Sequence, residues 1–186
     1  MFVSKFLLNR QKIFNAYDIH KAIESYFPAK NIIPGEDYQY RLEWYKIGIV
    51  VPVIVYSRIK PEMKLMKEFQ LIESEEKPLA PFQNGDIARF SIFVVPENFE
   101  NLDVERDFEK VRSWLKTYLK KAAIVSECFH GPDNCIYYDK DGIALSQQTI
   151  TLKGSLQVKD PDKLEMICQT ALGKFPELGC GLLYLY

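Results

Sequence analysis

Three residues of one predicted helix are the clearest candidates for acid–base chemistry. Tyr17, His20 and Glu24 follow one another at spacings of three and four residues, which places them on one flank of a helix. An imidazole with an unperturbed pKa of about 6.5 can give or take a proton at neutral pH, and a neighbouring phenol can orient it or share that work. The same spacing is typical of a surface or half-buried histidine without a catalytic role, so both interpretations stay open at this point.

Two further groups of residues could bind a ligand. Cys128, His130 and Cys135 fall within eight residues, but no second ligand pair follows at a usual zinc spacing, so the sequence predicts a turn with incidental cysteines. No metal and no other cofactor is expected. Gly173, Gly179 and Gly181 surround Lys174. Glycines let backbone amides approach a phosphate, although a helix end followed by a tight turn would explain them equally well.

The elements that carry these residues alternate in the same order in both halves of the chain. The first half reads strand 2–8, a helix from Asn15 to Pro28, strands 38–44 and 47–56, a short helix from Pro61 to Met66 and strand 69–72. The second half reads strand 87–95, the amphipathic helix after Asp107, a poorly defined strand, strand 148–158, helix 160–172 and strand 182–186. Each half is therefore βαββαβ, and we expect an α+β protein of two tandem ferredoxin-like domains.

The domain boundaries follow from the composition. Residues 73–85 are polar and contain two prolines, so we place an N-terminal domain at 1–76, a linker at 77–86 and a C-terminal domain at 87–186. Two local expectations accompany this division. Pro52 inside a strand favours an edge position or a bulge, and residues 131–142 are expected to form a loop.

The overall net charge of −1 conceals basic segments. Residues 1–67 contain 11 basic and 6 acidic residues, and residues 110–121 contain five basic and no acidic ones. Arg112, Lys116 and Lys120 recur every fourth residue, away from the apolar face of their helix. This basic stripe is typical of a solvated helix surface or of a surface that follows the phosphates of a nucleic acid.

The sequence also suggests a cellular compartment. The longest apolar run has ten residues, about half of what a membrane helix needs. We find no signal peptide, so the four cysteines are expected to be reduced thiols in the cytoplasm, with no membrane partner.

Several stretches together resemble one known family. They are the opening residues 1–8, Tyr17-Asp-Ile-His20 followed by Phe27-Pro28, and the ending Leu178-Gly-Cys-Gly-Leu-Leu. Further stretches fall in the family's order at residues 40–43, 89–96, 114–116 and 154–160. The chain is thereby similar to CasE, the CRISPR-associated endoribonuclease that processes repeat RNA in type I-E systems.

The resemblance implies a function. Members of this family have two ferredoxin-like domains, cut repeat RNA at the base of a hairpin without a metal, and stay with the guide RNA as a subunit of Cascade. Attack by a ribose 2′-OH would give a 2′,3′-cyclic phosphate. We expect His20 and Tyr17 to be the catalytic residues.

The resemblance also implies which residues contact RNA. The expected set comprises Lys21, Gly173, Lys174, Gly179, Gly181, Arg112, Lys116 and Lys120. Lys21 and Lys174 are candidates to face the charge of the phosphorane. Where the family usually has Lys-Ala, this chain has Pro176-Glu177. The alternatives are a non-catalytic subunit that binds an RNA hairpin, and a ferredoxin-like module that binds a protein.

Overall fold

Two antiparallel sheets, one of four and one of five strands, form the described part of the protein. The computed structural model describes residues 1–13, 15–28, 31–42, 49–64, 66–99, 103–131, 134–140 and 143–186. The elements of the first half are β1 (Phe2–Asn9), α1 (Ala16–Glu24), β2 (Tyr38–Leu42), β3 (Val50–Ser57) and β4 (Phe69–Glu76). Their sheet has the order β2-β3-β1-β4, which is the ferredoxin-like order.

The second half repeats this order. Its elements are β5 (Ile87–Val94), α2 (Val104–Leu119), β6 (Ala123–His130), β7 (Asn134–Lys140), β8 (Ile143–Val158), α3 (Pro161–Cys168), a 3-10 helix (Pro176–Leu178) and β9 (Tyr184–Leu185). The sheet runs β6-β8-β5-β9, and β7 lies off this path, where it pairs with β8. The predicted α+β class is confirmed. Within the described part of the chain, no helix is long and apolar enough to span a membrane.

Each half has a core, and the core of the second half also includes Tyr56 of β3. Phe6, Ile19, Ile23 and Phe69 are buried between α1 and the first sheet. Val111, Leu115 and Leu119 of the amphipathic α2 are completely buried against the second sheet. A third, small cluster lies where α1, β5, β7 and the C-terminal loop meet, and it comprises Ala16, Val95, Ile136, Leu178 and Cys180. We call it the junction cluster.

Several local expectations were wrong or incomplete. The described residues from Pro61 to Met66 are not helical, and Leu65 lies outside the described residues. Pro52 lies in an interior strand, where it pairs with Leu7. The described register between β2 and β3 ends at Leu42↔Val53, so the position opposite Pro52 on that side lies outside the described residues. The predicted strand ends at Glu43, Trp44 and Ile47 lie outside the described residues.

The largest difference concerns residues 131–142, which were expected to form a loop. Residues 134–140 form β7, which pairs with the first half of β8 from Asn134↔Thr149 to Lys140↔Ile143. The second half of β8 pairs with β5 and β6. One 16-residue strand therefore belongs both to the sheet and to a long hairpin that projects from it.

Candidate active site

Asn15 fixes the start of the helix that carries the candidate residues. Its side-chain oxygen accepts a hydrogen bond from the Tyr17 amide at 3.2 Å, as expected of an N-cap. The same oxygen accepts from the Asp139 amide at 3.0 Å, and the Asn15 side-chain amide donates to the Asp139 carbonyl at 3.1 Å. One side chain thus caps α1 and attaches the long hairpin to it.

This attachment can be tested with two substitutions of one residue. Asn15→Ala removes all three hydrogen bonds, so we expect the free energy of unfolding to fall by about 1–2 kcal/mol. Asn15→Asp keeps the oxygen that accepts from the Tyr17 and Asp139 amides, but it puts a carboxylate oxygen in place of the donor that faces the Asp139 carbonyl, and two acceptors then repel each other. We expect it to preserve α1 and release β7, which hydrogen exchange of the Asp139 amide would show. Protection of that amide equal to wild type in both variants would contradict the attachment.

His20 lies at the boundary between the core of the first half and its surface. Its side chain is buried, beside Ile19 and Ile23 of the same helix. On the inner side, Nδ1 is hydrogen-bonded to the Tyr38 hydroxyl of β2. On the outer side, Nε2 lies 3.4 Å from a carboxylate oxygen of Glu24. The imidazole is thus held between a neutral and an anionic oxygen group.

Tyr17 and Lys21 complete the helix flank. The Tyr17 ring centroid lies 5.7 Å from that of His20, and the Lys21 ammonium lies 4.6 Å from the centroid of the Tyr17 ring. A cation over a phenol ring is held there by the ring quadrupole. The structure therefore brings together Tyr17, His20 and Glu24, as the spacing predicted, and places Lys21 beside them.

Burial dominates the electrostatics of His20. It lowers the pKa of the imidazole below its usual value because a charged ring is poorly solvated there. Glu24 and Glu177 partly oppose this effect, and Lys21 adds to it. Burial also raises the pKa of the Tyr38 phenol well above its usual value, so this phenol is neutral at physiological pH.

The glycine-rich loop, residues 173–181, packs against the same helix. Its 3-10 helix contacts α1 and β2, and the Tyr40 hydroxyl donates to the Glu177 carbonyl at 2.9 Å. Gly179 is required here because its φ is +82° and a Cβ atom would lie 2.9 Å from the Tyr40 ring. The loop thereby places Glu177 on the His20 side of the molecule.

The residues of this loop that were predicted to contact RNA make contacts within the free protein. The Gly179 amide donates to the Pro176 carbonyl within the loop, and the Gly181 amide donates to the Phe93 carbonyl of β5. The Gly173 backbone approaches the Val95 carbonyl so closely that a Cβ atom would lie 2.3 Å from that oxygen. The Lys174 ammonium donates to the Phe99 carbonyl at 3.2 Å. These groups shape the loop in the free protein.

The basic stripe lies on another element. Arg112, Lys116 and Lys120 belong to α2 and its C-cap, and α2 packs on β6 and β8. Arg112 is paired with Glu109 at 3.2 Å, whereas Lys116 and Lys120 are exposed. The helix of His20 contacts β7 and the glycine-rich loop instead. The stripe is thus a second surface, separate from the His20 flank.

Cys128, His130 and Cys135 show no sign of a metal site. Cys128 is buried in β6, whereas Cys135 is exposed in β7, and both are free thiols. Among the described residues, no group of three metal-ligating side chains comes together.

Sequence reasoning missed Tyr38. Tyr38 and Tyr40 are two residues apart in the predicted strand, so both rings are expected on one face of it. Nothing in the sequence indicates that this face lies under His20, because the pairing joins residues 18 positions apart through the packing of α1 on the sheet.

Comparison with known proteins is consistent with this geometry. A comparison with curated proteins gave no significant match. Among solved structures, Cas6e from Escherichia coli str. K-12 is 22% identical with a TM-score of 0.78, covering 100% of this chain and 98% of that one. Thermus thermophilus Cse3 bound to an RNA representing a pre-cleavage complex is 20% identical with a TM-score of 0.77, and both chains are covered over 100% of their length.

The same fold occurs in a larger assembly. A chain of a CRISPR RNA-guided surveillance complex is 14% identical with a TM-score of 0.72, covering 100% of this chain and 98% of that one. The family model described as CRISPR associated protein matches residues 1–186. These matches confirm the resemblance drawn from the sequence, and the chain belongs to this family of CRISPR-associated proteins.

Proposed function

We propose that this protein is a metal-independent endoribonuclease that cuts CRISPR repeat RNA at the base of its hairpin. It then stays bound to the mature guide RNA as a subunit of Cascade. The observation that carries the proposal is the buried His20 imidazole, which lies beside Tyr17 on a helix enclosed by the long hairpin and the glycine-rich loop. The family and the names of the structural relatives, an endoribonuclease bound to RNA among them, support the same function.

The reaction needs only groups of this kind. The 2′ oxygen of a ribose forms a bond to the adjacent phosphorus while the bond from phosphorus to the 5′ oxygen breaks, which leaves a 2′,3′-cyclic phosphate and a 5′-OH. One group accepts the 2′ proton and another supplies a proton to the departing 5′ oxygen. Positioned acid–base groups of this type contribute roughly 10²–10⁴-fold in rate. We assign this work to His20 and Tyr17.

A cation beside these groups would stabilise the charge that builds up on the phosphorane. Lys21 is the best placed, because its ammonium lies on the Tyr17 ring and acts electrostatically on His20. Lys174 is bound to the Phe99 carbonyl in the free protein and would have to change partners to take this role.

The remaining RNA contacts are assigned to two surfaces. Lys21 and the glycine-rich loop would hold the strand near the cut, and Arg112, Lys116 and Lys120 would hold phosphates elsewhere on the hairpin. Gly173, Gly179 and Gly181 contribute through the shape that they give to the loop. Because the protein has a net charge of −1, binding depends on these local surfaces.

The proposal predicts cleavage that needs the 2′-OH and no metal. A repeat RNA with a single 2′-deoxyribose before the scissile phosphate should bind like the unmodified RNA and stay uncut, because it lacks the nucleophile. Excess EDTA should leave the cleavage rate of unmodified RNA unchanged, and the product should end in a 2′,3′-cyclic phosphate, which mass spectrometry identifies. Cleavage of the deoxy substrate, or a requirement for Mg²⁺, would contradict this mechanism.

A further inference from the structure

The two nitrogens of His20 face opposite environments. Nδ1 faces inward to the hydroxyl of Tyr38, whose side chain is 1% exposed. Nε2 faces outward to Glu24, whose side chain is 36% exposed. Since only the outer nitrogen can be reached from solvent, Nε2 is the atom that RNA would meet.

The burial of Tyr38 determines which way its hydrogen bond runs. Over the described residues, the Tyr38 hydroxyl has one hydrogen-bond partner, which is Nδ1 of His20. If Nδ1 carried the proton and donated, the hydroxyl hydrogen would be buried without an acceptor, which is unfavourable. The hydroxyl therefore donates to a bare Nδ1.

We propose that Tyr38 is a positioning residue that fixes the proton of the neutral His20 ring on Nε2. A neutral imidazole has one N–H group, so an Nδ1 atom that accepts leaves the proton on the other nitrogen. His20 then presents an N–H donor to the RNA and cannot accept the 2′ proton at that atom. Resting on the proposed function, this places His20 on the side of the departing 5′ oxygen, whose charge the N–H group stabilises.

The surroundings of the ring favour the same state. Protonation would put a hydrogen on Nδ1, and the Tyr38 hydroxyl would then have to turn its own hydrogen away from the ring. Among the described residues, no other acceptor bonds to that hydroxyl. The charged groups that act on the ring are Glu24 and Lys21 from α1 and Glu177 from the glycine-rich loop. The two carboxylates favour the imidazolium, but burial opposes them and prevails. The free protein therefore holds His20 neutral at physiological pH.

The composition of the chain makes the tautomer directly measurable. The protein has two histidines, so ¹⁵N spectra of the imidazoles contain two ring systems, and His130→Asn assigns the remaining one to His20. We expect a protonated Nε2 and a bare Nδ1 at pH 7.5, with a midpoint of titration below about 6.5. A proton on Nδ1, or a rapidly exchanging mixture of tautomers, would overturn the proposal. This measurement uses no RNA, so it stands whether or not the protein cuts RNA.

Tyr38→Phe tests the role of the hydroxyl. It removes the donor to the neutral ring, so the midpoint of His20 should rise by about one unit and both tautomers should appear. The matched control is Tyr26→Phe, which removes another fully buried hydroxyl of the same core, bonded to the Phe69 carbonyl and not to His20. Equal spectra for Tyr38→Phe and Tyr26→Phe would overturn the proposal. If Tyr38→Phe does not fold, the ¹⁵N measurement of the His20 tautomer in the wild-type protein is the test of the proposal.

Cleavage kinetics give a second readout. Only an Nε2 atom that carries a proton can donate to the departing oxygen, and the imidazolium carries one whether or not the Tyr38 hydroxyl is present. Tyr38→Phe should therefore lower kcat/KM above the midpoint of His20, where the neutral ring then divides between two tautomers, and the difference from wild type should narrow below that midpoint. A ratio of the two rates that is the same at every pH would contradict the positioning role, whereas the absence of any cleavage by wild type would count against the proposed function alone.

Discussion

Replacing His20 by alanine should reduce the rate of repeat RNA cleavage by roughly 10²–10⁴-fold while most of the RNA affinity remains. The imidazole is the group most directly suited to proton work on the helix flank, whereas RNA affinity is spread over Lys21, the glycine-rich loop and the basic stripe. Single-turnover cleavage and filter binding of the same labelled RNA separate the two effects. Circular dichroism would confirm that the variant is folded, because His20 is buried.

The second histidine provides the control. His130 is exposed at the end of β6, where it contacts the Phe108 ring and the Gly131 carbonyl. His130→Ala should cut at the wild-type rate. If His20→Ala also cut at that rate, the catalytic assignment would be wrong. If the wild-type protein bound the repeat and gave no product, a non-catalytic hairpin-binding subunit would be the better description.

Gly181→Ala should cost roughly 3 kcal/mol or more in the free energy of unfolding. Gly181 has a φ of +94°, and a Cβ atom would lie 2.6 Å from the Leu172 carbonyl oxygen and 2.7 Å from the Leu172 amide nitrogen. Both are backbone atoms, and the Leu172 amide also donates to the Gly181 carbonyl, so no side-chain rotation relieves the overlap. The loop must shift, and the packing of Leu178 and Cys180 in the junction cluster shifts with it.

Gly85→Ala isolates the contribution of this overlap. Gly85 has the same φ of +94°, but nothing lies within 4 Å of the position that its Cβ would occupy. Its cost should be only the strain of a left-handed alanine, about 1–2 kcal/mol. Urea unfolding of the two variants measures the difference. Equal losses of stability would show that the close approach at Leu172 is unimportant.

The sequence was informative wherever a local rule decided the structure. Asn15, Asp103 and Asp160 cap α1, α2 and α3 through the side-chain oxygens that such residues supply. The predicted helices begin at two of these residues, Asn15 and Asp160, and α2 was predicted to be amphipathic. The grouping of Tyr17, His20 and Glu24 also followed from helix geometry alone.

Prediction failed where the tertiary structure decided. The helix expected from Pro61 to Met66 has favourable residues, but its described part is irregular and is held by contacts such as the Glu62 amide on the Tyr26 carbonyl. The segment that became β7 contains Ile136, Tyr137 and Tyr138, which favour strands. It was assigned to a loop because the strand with which it pairs is an extension of β8 beyond the predicted limits.

Asn15 joins an early helix to a late strand, which determines when the candidate site is assembled during synthesis. The helix with His20 ends at Glu24, whereas the strand bonded to its cap and the loop that packs on it come later in the chain, from residues 134–140 and 173–181. During synthesis, an earlier domain folds before later segments leave the ribosome. The nascent first half therefore carries its histidine in an open setting, and the site is enclosed only after both later segments have been made.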